Sequence, residues 1–252
     1  AKREIKEDLK LVDVVIELLD ARCPLASQNP DIKEIIQNKK RIVVLNKSDL
    51  ADEKITKEWI EYFNKQGILA ISADSNSGLG VDKVSYLAEK VLQEELEKSA
   101  NKGRIGRTIR ACIVGIPNVG KSSFINRIAK KTAVEVANKP GVTRKNKWIR
   151  GTIKEDILDK VEIAYELIKY LIKNNQKDRL IKRYGITLEK ITQIEESNME
   201  ENQKYYSVLL EIGRKRGAII SGGNIDEEKV SRILLEEFKG GKLGKISLER
   251  PK

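Results

Sequence analysis

The 252-residue chain carries 49 Lys or Arg against 38 Asp or Glu, a formal net charge of +11, with 40% hydrophobic and 35% charged residues. Such a composition suits a globular protein long enough for one medium domain and a smaller one. No window approaches the roughly 18 consecutive apolar residues of a helical membrane span, so no membrane partner is expected. The two cysteines, Cys23 and Cys112, lie too far apart in sequence to suggest a disulfide framework, and a reducing, cytoplasmic setting is expected. The chain starts at Ala1 and its only Met is Met199, so a native N-terminus is expected to precede it.

The charge is uneven. Between Asn101 and Gly151, 13 Lys or Arg meet one acid, Glu135, for a net +12, whereas residues 1–100 sum to −3 and residues 152–252 to +2. A basic surface of this kind is the footprint of a polyanionic partner, or else a solvated face that helps to hold nucleotide phosphates.

In chain order, the β-branched run at 12–19 ends at Asp20-Ala21-Arg22 and leads through a Pro-bearing loop to a helical stretch at 31–38. The same pattern returns as a strand at 41–45 before Asn46, a helix at 56–66, a strand at 68–72, and one helix from Val81 to about Leu96. Strands alternating with helices imply parallel βαβ units. A polar, Gly-bearing linker at 98–107 precedes a fourth strand at 109–114, and a helix opens at Lys121. From Thr152 only helical patterns follow, at 153–173, 202–216 and 226–238. The division expected is an α/β domain over 1–151 and an α-helical domain over 152–252.

Gly115-Ile-Pro-Asn-Val-Gly120-Lys121-Ser122 fits the phosphate-loop pattern, placed after an apolar strand and at the opening of an amphipathic helix. In such a loop the backbone N–H groups of Asn118, Val119, Gly120, Lys121, Ser122 and Ser123 converge on phosphate. Lys121 neutralises β and γ oxygens, and Ser122 can ligate Mg²⁺. A phosphate loop does not choose the base. Asn46-Lys47-Ser48-Asp49, directly after a strand, makes the choice: a carboxylate at Asp49 can accept from N1–H and the exocyclic amine of guanine, which adenine cannot match. Asn46 would brace the loop and the Lys47 stem would cover one ring face. Taken alone, Asn-Lys-x-Asp also describes an ordinary turn. Ser72-Ala73 closes the next strand, where a backbone N–H can meet guanine O6; its value lies in position at a strand end.

In ordinary small GTPases the phosphate loop comes first, whereas here Asn46 and Ser72 precede Gly115. With Asp20-Ala21-Arg22 upstream, Gly-Ile-Pro-Asn-Val-Gly-Lys-Ser, Pro140-Gly141-Val142-Thr143 and Ser221-Gly222-Gly223, the chain resembles the circularly permuted ribosome biogenesis GTPase A family over nearly its whole length. The resemblance implies a six-stranded, Ras-like P-loop GTPase domain in permuted order plus a C-terminal α-helical domain. It also implies GTP hydrolysis to GDP in late maturation of the large ribosomal subunit, contact with its rRNA and none with DNA, and a monomer. By the same match Thr143 is the switch threonine, a second Mg²⁺ ligand, and Asn118 corresponds to a K⁺ ligand of potassium-activated relatives. No Asp-x-x-Gly follows Thr143: Trp148-Ile-Arg-Gly151 runs into Thr152-Ile-Lys-Glu155. A switch II segment is expected to be missing near 150–152, with a true deletion as the alternative. The catalytic, water-orienting group stays unknown, since the chain has no His. Basic clusters at Arg214-Lys215-Arg216 and Lys239–Lys245 read as RNA backbone contacts or as solvated helix ends. Two other readings stay open: an RNA-binding scaffold that keeps GTP only as a structural ligand, and a GTPase of tRNA modification, against which no modification domain is recognisable.

Overall fold

The computed structural model describes residue 9 and residues 11–36, 39–102, 108–129 and 159–252. The chain divides into two compact units, one drawn from Ala1–Thr152 together with Ser247–Lys252 and the other from Ile153–Ile246. The final six residues thus group with the first unit and not with the helices that precede them.

The first unit is built on a parallel sheet of β1 (Val14–Asp20), β2 (Lys40–Asn46), β3 (Leu69–Ser72) and β4 (Ala111–Val114), ordered β3-β2-β1-β4. Six strands were the expectation; four are found among the described residues. All seven residues of β1 are buried, as a central strand covered on both faces requires. Alternation sends Val14, Ile16 and Leu18 one way and Val15, Glu17 and Leu19 the other. The first set packs with Ile42, Val44, Val84, Ala88, Phe124 and Ile128. On the opposite face Leu19 joins Val43, Leu45, Trp59 and Phe63, while Val15 meets Ile32 and Ile36.

Helices therefore cover both faces. They are α1 (Ile32–Ile36), α2 (Glu53–Lys65), α3 (Lys83–Val91), α4 (Gln93–Ala100) and α5 (Lys121–Ala129). The Asp52 side chain caps α2 by accepting from Lys54 and Ile55 N–H. The single helix expected from Val81 to about Leu96 is two, broken at Leu92 (φ −101°, ψ 9°). Leu92, at the break, and Leu96, four residues on, both pack on the same core cluster.

A charged pair is buried within the sheet: Glu17 of β1 is 1% exposed and pairs with Arg41 of β2. Burial pushes the Glu17 carboxyl above its ordinary value, and Arg41 pulls it back. From β1 the chain adds β2 and β3 outward on one side, then places β4 on the other side of β1. The direction of winding reverses between β1 and β4, and the carboxyl ends of these strands flank the crevice where such sheets take ligands.

The second unit holds α6 (Lys160–Lys173), α7 (Lys177–Tyr184), α8 (Leu188–Glu195), α9 (Glu201–Lys215) and α10 (Glu227–Lys239). Asp159, Thr187 and Asp226 cap α6, α8 and α10 through their side chains. Gly185 ends α7 in the left-handed conformation (φ 68°). Ile168 and Leu171 of α6, Leu209 and Ile212 of α9 and Val230 and Leu234 of α10 are almost wholly buried. Beside them Glu237 accepts from Arg183 and Arg216, and the Arg216 guanidinium lies 5.0 Å from the centroid of the Tyr184 ring. Hydrogen bonding by Arg183, working against burial, holds Glu237 down at about 2. Arg216, read from sequence as part of a basic RNA-contacting cluster, is engaged in this internal network, while Arg214 and Lys215 are exposed.

Candidate functional site

Both loops singled out by sequence leave the carboxyl edge of the sheet. Gly115–Gly120 turns between β4 and α5. Within it Asn118 (φ 63°) and Gly120 (φ 98°) are left-handed, a conformation that curls successive N–H groups toward one concavity. A Cβ on Gly120 would lie 2.4 Å from Asn46 Nδ2, so only glycine lets the two loops approach. Lys121 opens α5, and its Nζ donates to the carbonyls of Gly115 (2.9 Å) and Ile116 (2.7 Å). Burial holds that ammonium below its ordinary value. A positive group standing among carbonyls over a glycine turn is suited to a phosphate oxygen. Val119 is buried, whereas Asn118, Ser122 and Ser123 are exposed.

Asn46 ends β2 at 1% exposure. Its Nδ2 donates to Val119 O (2.8 Å), and its Oδ1 accepts from Ser75 N (3.1 Å) and Ser75 Oγ (2.7 Å). One amide thus ties together the loops after β2, β3 and β4. Lys47 follows in the left-handed region (φ 58°) and turns the chain into the short 3₁₀ turn Ser48–Leu50, which carries the exposed Asp49. Lys47 Nζ reaches Asp20 Oδ2 (3.1 Å), and Arg22 grips the same carboxylate through Nε (3.0 Å) and Nη2 (2.8 Å). Burial alone would raise the Asp20 carboxyl, but Arg22 and Lys47 outweigh it and hold it below its ordinary value.

One expectation needs correcting. The sequence reading looked to an N–H at Ser72-Ala73 as a donor to the base, yet the Ala73 N–H donates to Leu45 O (2.9 Å). Pairing between β2 and β3 continues one residue past Ser72 and takes that N–H. The Ala73 carbonyl in turn accepts from Ser48 N (3.1 Å), pinning the turn that holds Asp49. Thr143 lies outside the described residues, as does the junction at 150–152, across which the sequence is continuous. Sequence reasoning missed Ser75 and Arg127, whose guanidinium in α5 donates to the Ser75 and Asn76 carbonyls. Nothing local in the sequence marks either; their partners are 29 and 51 or more residues away. Asp20-Ala21-Arg22 was noticed as a motif, without its pairing to Lys47.

Comparison with known proteins bears on this arrangement. The family described as 50S ribosome-binding GTPase matches residues 110–194. Over its full length the chain is 39% identical to ribosome biogenesis GTPase A of Bacillus cereus, covering 90% of that protein, and 33% identical to that of Thermotoga maritima, covering 91%. The crystal structure of GNP-bound YlqF from T. maritima superposes with a TM-score of 0.58 at 28% identity, over 100% of this chain and 98% of that one. The B. cereus alignment runs over 281 positions against 252 residues here, so that protein has about 29 or more residues with no counterpart in this chain. Identity at this level along the whole chain, in a fold whose base loop precedes its phosphate loop, leaves one conclusion: the chain belongs to the ribosome biogenesis GTPase A family and is a circularly permuted P-loop GTPase.

Proposed function

We propose that this GTPase works as a nucleotide-controlled assembly factor on the maturing large ribosomal subunit, late in its assembly, as a cytoplasmic monomer that grips rRNA. The observation that carries the reading is the hydrogen bond from Asn46 Nδ2 to Val119 O (2.8 Å), spanning 73 residues of sequence. It fastens a base-reading loop to a phosphate loop despite the permuted order. In this reading the Asp49 carboxylate accepts from guanine N1–H and the 2-amino group, Asn46 braces the loop, and the Lys47 stem lies along the ring. Ser72 and Ala73 border the base through the turn they support. The amides of Asn118, Val119, Gly120, Lys121, Ser122 and Ser123 meet the phosphates, and the Lys121 ammonium neutralises β and γ oxygens.

Ser122 and Thr143 would hold Mg²⁺, which when bound offsets phosphate charge. The fit of Ser122 rests on its exposed place in the first turn of α5, beside Lys121. Asn118 would hold K⁺, whose charge can substitute for that of an arginine; its exposed, left-handed position in the loop suits that role. Turnover is expected to rise more in K⁺ than in Na⁺, with Asn118→Ala erasing the difference without unfolding the protein. Steady-state phosphate release in the two salts checks this, and equal wild-type rates would remove the K⁺ assignment.

Subunit binding is the central test. The segment of net +12 includes both Lys121 and Thr143, so nucleotide and RNA are expected to influence each other, typically by about 1–3 kcal/mol, or roughly 5- to 150-fold. Co-sedimentation with large subunits should be tighter with a non-hydrolysable GTP analogue than with GDP, and the subunit should stimulate hydrolysis that is slow in its absence. Replacing Arg144, Lys145 and Lys147 together by Ala should weaken binding and flatten its salt dependence while leaving GTP affinity of the free protein intact. Identical binding in both nucleotide states, with an unchanged salt slope in the triple variant, would show the basic segment to be a solvated face.

A further inference from the structure

Residues 247–252 make contacts that phosphate binding and hydrolysis do not call for. Ser247 is 1% exposed and its Oγ accepts from Asp52 N (3.1 Å). Leu248 N donates to Arg22 O (2.7 Å). The Glu249 carboxylate accepts from two successive backbone groups, Leu25 N (2.7 Å) and Ala26 N (3.0 Å), and its carbonyl accepts from Trp59 Nε1 (3.2 Å). Hydrogen bonds to an ionised carboxylate are about twice as strong as neutral ones, so the Glu249 pair is the firmest of these attachments.

The places they grip are not scattered. Arg22–Ala26 is the loop after β1, and Asp52 closes the turn that carries Asp49. Between these two grips lies a short chain of charges. Arg22 holds Asp20 by two bonds, Asp20 holds Lys47 Nζ, and the charge of Asp49 acts on Arg22. The segment thus holds the loop assigned to the base from two sides, at Arg22–Ala26 and at Asp52.

We propose that Ser247–Lys252 is a brace for base recognition, in which Glu249 and Ser247 are positioning residues that hold Asp20, Lys47 and Asp49 in the geometry that reads guanine. The proposal rests on the assignment of Asp49 to the base, and the experiment separates the two. A segment that only stabilised the unit would lower the affinity of every nucleotide alike. A brace on the base loop acts on the guanine-specific contact, so it changes the preference for GDP over inosine diphosphate, which lacks the 2-amino group.

The test is calorimetric titration of the full chain with both diphosphates in wild type, Glu249→Ala, Glu249→Gln, Ser247→Ala and Asp49→Ala. In Glu249→Ala the GDP affinity should fall by about tenfold while the inosine diphosphate affinity falls by about threefold or less. Glu249→Gln, which keeps one acceptor oxygen, should restore part of the preference. Ser247→Ala should shift it in the same direction by less, and it decides the matter if Glu249→Ala does not fold. A second readout is Cys23, whose N–H donates to Asp20 O (3.0 Å) inside the gripped loop. Burial, followed by the charges of Asp20 and Glu249, pushes its thiol up to about 12. Alkylation of Cys23 at pH 8, followed by peptide mass spectrometry, should be slow in wild type and faster in Glu249→Ala. If Asp49→Ala narrows the GDP preference and neither tail variant does, the brace is overturned and the base assignment stands. Equal losses for the two diphosphates in the tail variants overturn it as well. An unchanged preference in Asp49→Ala overturns both.

Discussion

Asp49→Asn is expected to lower GTP affinity on the order of 100-fold or more while raising the affinity for xanthosine triphosphate. A site built to accept two hydrogen bonds from guanine rejects a mismatched edge strongly, because each unmet polar group is paid for in full. An amide at position 49 presents a donor to guanine N1–H, itself a donor, but can give that hydrogen to the 2-oxo group of xanthine. The exchange of preference is the informative part. Competition binding with both triphosphates measures it, with Lys121→Ala as the variant that loses both. The environment favours a clean result: Asp49 is exposed on its turn, and that turn is held by the Ser48 N to Ala73 O bond, which the substitution leaves alone. Unchanged GTP affinity in Asp49→Asn would show that another group reads the base.

The second large effect concerns stability. Arg41→Ala should destabilise the α/β unit by about 3–5 kcal/mol, because it leaves the Glu17 carboxylate buried without its partner. For a unit of this size that corresponds to a melting temperature lower by roughly 6–20 °C. Because the chain has two units, the transition should be followed locally, through the buried Trp59 in a Trp148→Phe background. The pH dependence has a definite sign. The folded-state value for Glu17 already lies above the ordinary 4.5, with burial as the cause and Arg41 opposing it. Removing Arg41 raises it further, so the folded variant binds more protons than the unfolded chain between the two values, and its stability increases as pH falls through that window. The deficit relative to wild type should therefore shrink as pH falls through that window. The double replacement Glu17→Gln with Arg41→Met should cost less than Arg41→Ala alone. A deficit independent of pH would mean that Glu17 is not the stranded charge.

How much of this was legible in the sequence follows from how local each feature is. β1 to β4 announce themselves through β-branched runs, and the phosphate loop through glycine spacing at a strand-to-helix junction, all signals contained within about ten residues. The permuted order was legible because both recognition loops carry their own motif. Other features depend on partners that no window contains. The break at Leu92 falls where the sequence has no Gly or Pro to mark it. α7 and α8 are eight residues each and amphipathic for only about two turns, too short for periodicity to stand out from the polar stretches around them. The Ala73 N–H is decided by strand register. Glu249 looks like one more acid near a charged terminus until the fold sets it against Leu25 and Ala26, more than 220 residues away.

That separation has a consequence for how the protein is made. The loop after β1 is synthesised before every helix of the second unit, yet its bonds to Glu249 close a span of 224 residues and wait for all of those helices to be translated. At about 5–20 residues per second, translation of that span takes on the order of 10–45 s. Once residues 111–129 have been made, a nascent chain can pair β1 with β2 and β4 and form its phosphate loop, while the Arg22–Ala26 loop still lacks its final hydrogen bonds. Under the proposed brace, the full preference for guanine is reached only after Glu249 has been translated.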